Sequence, residues 1–137
     1  MGQQQLLLII LGVIVVGIAV AVGITMFTDN AVSANRDAVT NDLVNLASRA
    51  QQHYRRPASM GGGEGSFTAS RNGTALSTIT QLTSKPTNSN GRYEISGAVA
   101  ANSLTLRGIG REVVSGTDSV EVTMRVTPDS AIATVLH

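Results

Sequence analysis

The sequence predicts an α+β fold in which a long N-terminal α-helix, apolar all round in its first half and amphipathic in its second, packs on a small C-terminal antiparallel β-sheet. Three observations carry this. An uncharged apolar run fills residues 6–24, a stripe of period 3.6 continues it to residue 54, and from Arg92 onward the period changes to two. The chain of 137 residues fits one domain, and residues beyond 28 leave enough for only a small core. The expected organisation is a hydrophobic helix over 1–28, an amphipathic helix over 29–56, a Gly-rich loop region over 57–91 and a sheet over 92–137.

The first element rests on length and on flanks. Residues 6–24 are only Leu, Ile, Val, Ala and Gly, and no charged side chain precedes Asp29. As a helix they span about 28 Å, close to the ~30 Å hydrocarbon core of a bilayer. A secretory signal has a basic start, a shorter apolar stretch and an Ala-x-Ala-like exit. This run has no Lys or Arg before it and leaves through Thr25, Met26, Phe27 and Thr28, so cleavage is not expected. Gly12, Gly17, Ala19, Ala21 and Gly23 punctuate the run. Gly17 with Ala21, and Ala19 with Gly23, form small-xxx-small pairs on different faces, which allow helices to approach closely. The plainer reading is that Gly and Ala are simply common in membrane helices.

The second element follows from Val32, Val39, Leu43, Leu46, Ala50 and Tyr54, which recur on one helical stripe, with Asn35 and Arg36 filling a gap in it. Asp37, Asp42, Arg49 and Gln52 lie between them and suit water. Arg55 and Arg56 complement a helix C-terminus, and Pro57 marks a stop. An unbroken helix would be about 80 Å long; Thr28 or Asp29 would instead cap a second helix if the rod breaks there.

The segment "PASMGGGEGSF" reads as a flexible loop, and without a following Gly-Lys-Ser/Thr it is no phosphate-binding P-loop. Leu76, Ile79 and Leu82 fit a short helical turn, and "SKPTNSNG" is a cluster of turn formers. Tyr93, Ile95, Gly97 and Val99 then alternate with Arg92, Glu94, Ser96 and Ala98. Leu104 and Leu106 alternate with Ser103, Thr105 and Arg107. Clearest is "SVEVTMRV", with Val120, Val122, Met124 and Val126 on one face. A last strand falls near residues 131–136, after Pro128-Asp129. Short strands with one apolar face read as an antiparallel meander, and the helical stripe is the long element available to cover it.

Little in the sequence points to chemistry. The absence of cysteine removes disulfide and thiol-metal frameworks. Beyond Pro57, Arg71, Lys85, Arg92, Arg107, Arg111 and Arg125 balance Glu64, Glu94, Glu112, Asp118, Glu121 and Asp129, which leaves no basic footprint for nucleic acid. The few aromatics, Phe27, Tyr54, Phe67 and Tyr93, offer no stacking platform. His53 and His137 are far from metal-ligand spacing and read as solvated surface residues. Neither a Gly-x-Ser-x-Gly elbow nor a catalytic triad is indicated, and no enzyme activity, cofactor or metal is expected. Asn72-Gly73-Thr74 satisfies the acceptor rule for N-glycosylation.

In this arrangement the chain resembles a type IV pilin or a related pilin-like protein. "ASRAQQHYRRP" leading into "GGGEGSF" is similar to the helix-to-loop passage of bacterial pilins and pseudopilins, and "NGRYEIS" to their first strand. The resemblance implies a subunit held in the inner membrane and then extracted by an assembly machinery into a helical filament of identical copies, whose core is a bundle of the apolar helices. It departs from the family at the start of the chain. The family has a basic leader ending in Gly, then a Phe and a Glu at the fifth mature position, whereas Gly2 follows only Met1 and precedes Gln3. The expectation is a leaderless pilin in which Gln3, Gln4 and Gln5 take over the glutamate's role. Three readings follow. The first is the major pilin of an extracellular filament, with Gln5, Gly12, Gly17, Ala19, Ala21 and Gly23 at subunit interfaces. The second is a pseudopilin of a secretion system, and the third is a signal-anchored β-domain that binds a ligand without polymerising.

Overall fold

A computed structural model describes residues 2–68 and 73–137. Helix α1 runs without interruption from Gly2 to Arg55, 54 residues, or about 80 Å. The side chain that would have capped a second helix at residue 28 is engaged within the first. Thr28 Oγ1 donates to the Ile24 carbonyl at 3.0 Å, as Thr25 Oγ1 does to Ala21 at 3.1 Å. With the hydroxyl turned back onto the preceding turn, it is not available to cap the next one.

At its other end α1 stops before Pro57, and the glycine segment folds back over it. Gly63 N–H donates to the His53 carbonyl at 2.8 Å, Gly65 to Tyr54 at 2.8 Å and Glu64 to Arg56 at 3.0 Å, so carbonyls left open by a helix end are satisfied. A Cβ on Gly62 would run into the Arg56 carbonyl oxygen, and one on Gly63 into that of Ser66. These glycines permit close approach, and the segment expected to be a bare loop is a helix cap. The loop also buries His53, which is 7% exposed. The surface reading of His53 is therefore wrong, while His137 is exposed. A tilted aromatic contact reinforces the loop, with Tyr54 and Phe67 centroids 4.9 Å apart and their planes 50° from parallel. The expected turn near Ile79 is a 3₁₀ helix, Ile79–Gln81, entered through a Thr78/Gln81 capping box.

Four strands follow: β1 (Gly91–Ala100), β2 (Ser103–Ser115), β3 (Asp118–Val126) and β4 (Ala131–Val135). They form one antiparallel meander in the order β1-β2-β3-β4. Alternation in β1 fails at Gly97, where φ is +73° and the register to β2 shifts between Ser96 and Ala100. Such a bulge needs the left-handed backbone that Gly adopts freely. Strand β2 extends well past Arg107. Its helix-facing positions read Leu104, Leu106, Gly108 and Gly110, all buried. A Cβ at Gly108 would crowd Val39 Cγ1, and one at Gly110 would strike Asn35 Oδ1. The helix approaches the sheet too closely there for side chains, so glycine replaces the apolar pattern.

The core forms between the second half of α1 and the sheet. Val39, Leu43, Leu46, Ala47 and Ala50 meet Leu104, Leu106, Val120, Val122, Met124 and Val126, with Phe67, Leu76 and Leu82 closing one flank. Val32 and Tyr54, the ends of the predicted stripe, are only partly buried.

Candidate assembly surface

From Gly2 to Asn30 every residue of α1 is exposed. Among the described residues no other part of the chain covers the segment, and it lacks charge up to Asp29. It is long and apolar enough to cross a membrane. Backbone groups in an α-helix are bonded within the segment, and the hydroxyls of Thr25 and Thr28 are satisfied locally, so residues 6–28 can lie in an apolar medium without orphaned polar groups.

The predicted interface residues all fall on this half and sort into two strips. At 100° per residue, Gln5, Gly12, Ala19 and Gly23 lie within about 40° of one another, and Gly17 with Ala21 lie on roughly the opposite side. A Cβ at Gly12, Gly17 or Gly23 would meet nothing within 4 Å. No packing among the described residues therefore calls for glycine at these positions, although each lowers helix propensity by about 1 kcal/mol relative to Ala.

Polar contacts lock the head onto the helix just beyond this half. Asn35, the interruption in the apolar stripe, donates from Nδ2 to the Asn90 carbonyl at 2.8 Å. Its Oδ1 accepts from the backbone N–H of Arg111 at 3.1 Å and of Glu112 at 3.4 Å. Those two amides lie where the β2–β3 register shifts, between Ile109 and Val113, and Asn35 replaces their missing sheet partner. Two turns on, Asp42 Oδ2 accepts from Tyr93 Oη at 2.6 Å and from the side-chain amides of Asn88 and Asn90, each at 2.9 Å. Burial acts to raise the Asp42 pKa, but the hydrogen bonds from Tyr93, Asn90 and Asn88 together outweigh it and hold the carboxyl below its ordinary value. Burial first, and then the Asp42 carboxylate, push the Tyr93 phenol upward. The sequence assigned Asp42 to water and marked Asn35, with Arg36, only as a gap in the apolar stripe; that polar interruption was the one available signal.

On the sheet face away from α1, Arg107 binds Glu121 through Nε and Nη2 at 2.6 and 2.8 Å, and reaches Glu94 through Nη1 at 3.0 Å. The Glu121 hydrogen bonds are the chief reason that the Arg107 pKa is raised and that of Glu121 lowered. The charges on this face are thus partly neutralised within it. Asn72 lies outside the described residues. Among the described residues no three His, Cys, Asp or Glu side chains gather as a metal set.

Fold and surface together define an α+β head carried on a continuous helix whose free half is fit to span a membrane. Comparison with protein-family models, curated proteins and solved structures found no match to this chain.

Proposed function

We propose that the chain is the structural subunit, or major pilin, of an extracellular type IV pilus-like helical filament. In this reading the apolar half of α1 is an inner-membrane anchor before assembly and part of the filament core afterwards. The observation that carries the proposal is a wholly exposed apolar helix, with small residues on two opposite sides, joined without a break to a folded head. No hydrophobic force drives apolar helices together in lipid, and close packing at small residues does so instead. Small residues on two sides suit a helix inside a bundle, which meets neighbours on several. Its partners are further copies of itself and the assembly machinery that extracts them from the membrane.

Electron microscopy and mass spectrometry of sheared cell-surface material test this. Filaments built of this polypeptide are expected. Recovery of the chain only from detergent-solubilised membrane, with no filaments, would overturn the proposal.

A further inference from the structure

Strand β2 runs antiparallel to α1, towards the apolar run. At one end Gln51 Nε2 donates to the Thr127 carbonyl at 3.0 Å, next to the pair formed by Val126 and Leu104. At the other, Asn35 accepts from the amides of Arg111 and Glu112. The helix covers about 24 Å between Gln51 and Asn35, and the strand about 23 Å between Leu104 and Arg111, so the two advance in step. Past Asn35 the strand leaves the core. Every residue from Arg111 to Asp118 is exposed, Val113 at 47% and Val114 at 40%. Ser115 pairs with Asp118, so Gly116 and Thr117 make the turn, with φ +58° at Gly116, and the arm closes as a tight hairpin.

From Glu112 to Ser115 the arm reaches at most about 10 Å further, or about seven residues of helix. Its turn therefore stands level with residues 28–30, where the uncharged part of α1 ends. A bilayer whose hydrocarbon core is filled by the apolar run adds a headgroup layer of about 5–7 Å on each side, and residues 28–30 fall within it. We propose that the hairpin tip, Glu112 to Asp118, rests in the headgroup layer of a zwitterionic bilayer, with Val113 and Val114 as its apolar contacts. This rests on the membrane-anchored stage of the proposed function.

Two observations favour lipid over a partner protein. Successive side chains of a strand point to opposite faces, so adjacent valines make both sides of the arm apolar. A protein packed on one side would leave the other wet, whereas a layer into which the tip dips covers both. The arm is also acidic. Neither Glu112 nor Asp118 takes part in an ion pair among the described residues, and Arg111 turns its guanidinium to the Asn88 carbonyl. Asp29 adds a carboxylate at the same level of α1. Such a surface suits the ammonium groups of zwitterionic lipids and is repelled by anionic ones.

The chain has no cysteine, so single-cysteine variants of the full chain each carry one spin label. Leu11→Cys, Met60→Cys, Val113→Cys and Val114→Cys, all at exposed positions, are compared in vesicles of phosphatidylcholine and phosphatidylethanolamine at low protein density. The readout is access of a water-soluble nickel chelate to the label. Leu11 is expected to be closed to nickel and Met60, beyond the far end of α1, open to it. Val113 and Val114 should fall between them, at headgroup depth. With the label at Ser115, Val113→Ser and Val114→Ser together should weaken insertion of the tip about tenfold and leave the melting curve unchanged. Phosphatidylglycerol in place of phosphatidylethanolamine should reopen the tip to nickel. Access at Val113 and Val114 equal to that at Met60, with Leu11 closed, would overturn this proposal alone; an open Leu11 would overturn the anchor and the proposal with it. Shielding that phosphatidylglycerol leaves intact would also overturn it. So would shielding that vanishes as the protein is diluted into lipid, which would assign the tip to a second copy of the chain.

Discussion

Replacing Gly17 by leucine adds a branched side chain to one of the two small-residue strips while leaving the subunit's own contacts untouched. A Cβ at residue 17 meets nothing within 4 Å, and the change improves helix propensity by up to about 1 kcal/mol, so the isolated chain should keep or slightly gain stability. In the proposed bundle the added side chain would meet a neighbouring backbone. Overpacking of a close contact costs about 1–3 kcal/mol, which is roughly a five- to 150-fold weakening per contact, repeated at every subunit. The assay pairs a melting curve of the full chain in micelles with the yield of sheared filaments. An unchanged melt with greatly reduced yield is expected, and Gly12→Leu on the opposite strip should act similarly, whereas Val20→Leu between the strips should have little effect. Normal filament yield from Gly17→Leu would refute close packing at that position, and a lowered melting temperature would refute the claim that the subunit itself does not need the glycine.

Three further outcomes test how the head is held. Asn35→Ala removes the donor to Asn90 and the acceptor of the Arg111 and Glu112 amides; a loss of about 1–2 kcal/mol, or about 4–8 °C in melting temperature per kcal/mol, is expected, together with faster hydrogen exchange at those two amides. Unaltered exchange would remove Asn35 from the junction. Because the Asp42 pKa is depressed in the folded chain, its contribution to stability is full above the ordinary value of 3.8 and fades as pH falls through the lower folded value; melting curves taken across that acidic window should be flatter for Asp42→Asn than for the parent. Gly63→Ala drives a methyl group into the Ser66 carbonyl and disrupts the cap over His53, at a cost of about 1–3 kcal/mol. A parental melting temperature for this variant would show that the glycine loop does not cap α1.

The helix and the alternating strands were legible because a period of 3.6 or of two survives wherever side chains fill the space between layers. It disappears where they do not. Gly108 and Gly110 belong to the buried face of β2 as fully as Leu104 and Leu106 do, but α1 comes so near that no side chain fits, and no apolar letter marks the strand. Asn35 misleads for a related reason: it occupies a stripe position because two backbone amides at a register shift need an acceptor, a demand created by tertiary structure alone. His53 was misread because its burial comes from a loop that closes only through the small size of Gly62 and Gly63. For the apolar half the sequence reading and the structure coincide in giving a continuous helix that stands clear of the sheet, every residue from Gly2 to Asn30 being exposed.

Continuity at Thr28 has a mechanical consequence for the proposed filament. Had Thr28 capped a new helix, the head could swivel about the joint, and the two small-residue strips would bear no fixed relation to the sheet. With its hydroxyl bonded to Ile24 the phase is carried through. On an ideal helix Gly17 and Ala21 fall within about 40° of Val39, which faces the sheet, whereas Gln5, Gly12, Ala19 and Gly23 face the other way. A neighbour packed on the first strip would lie beneath the head, and one packed on the second would lie behind it. The Asn35 and Asp42 contacts keep the sheet from rocking on the helix, so the helical phase of the strips dictates where each head must stand. A rigid junction is therefore as necessary to an ordered filament surface as the strips are to its core.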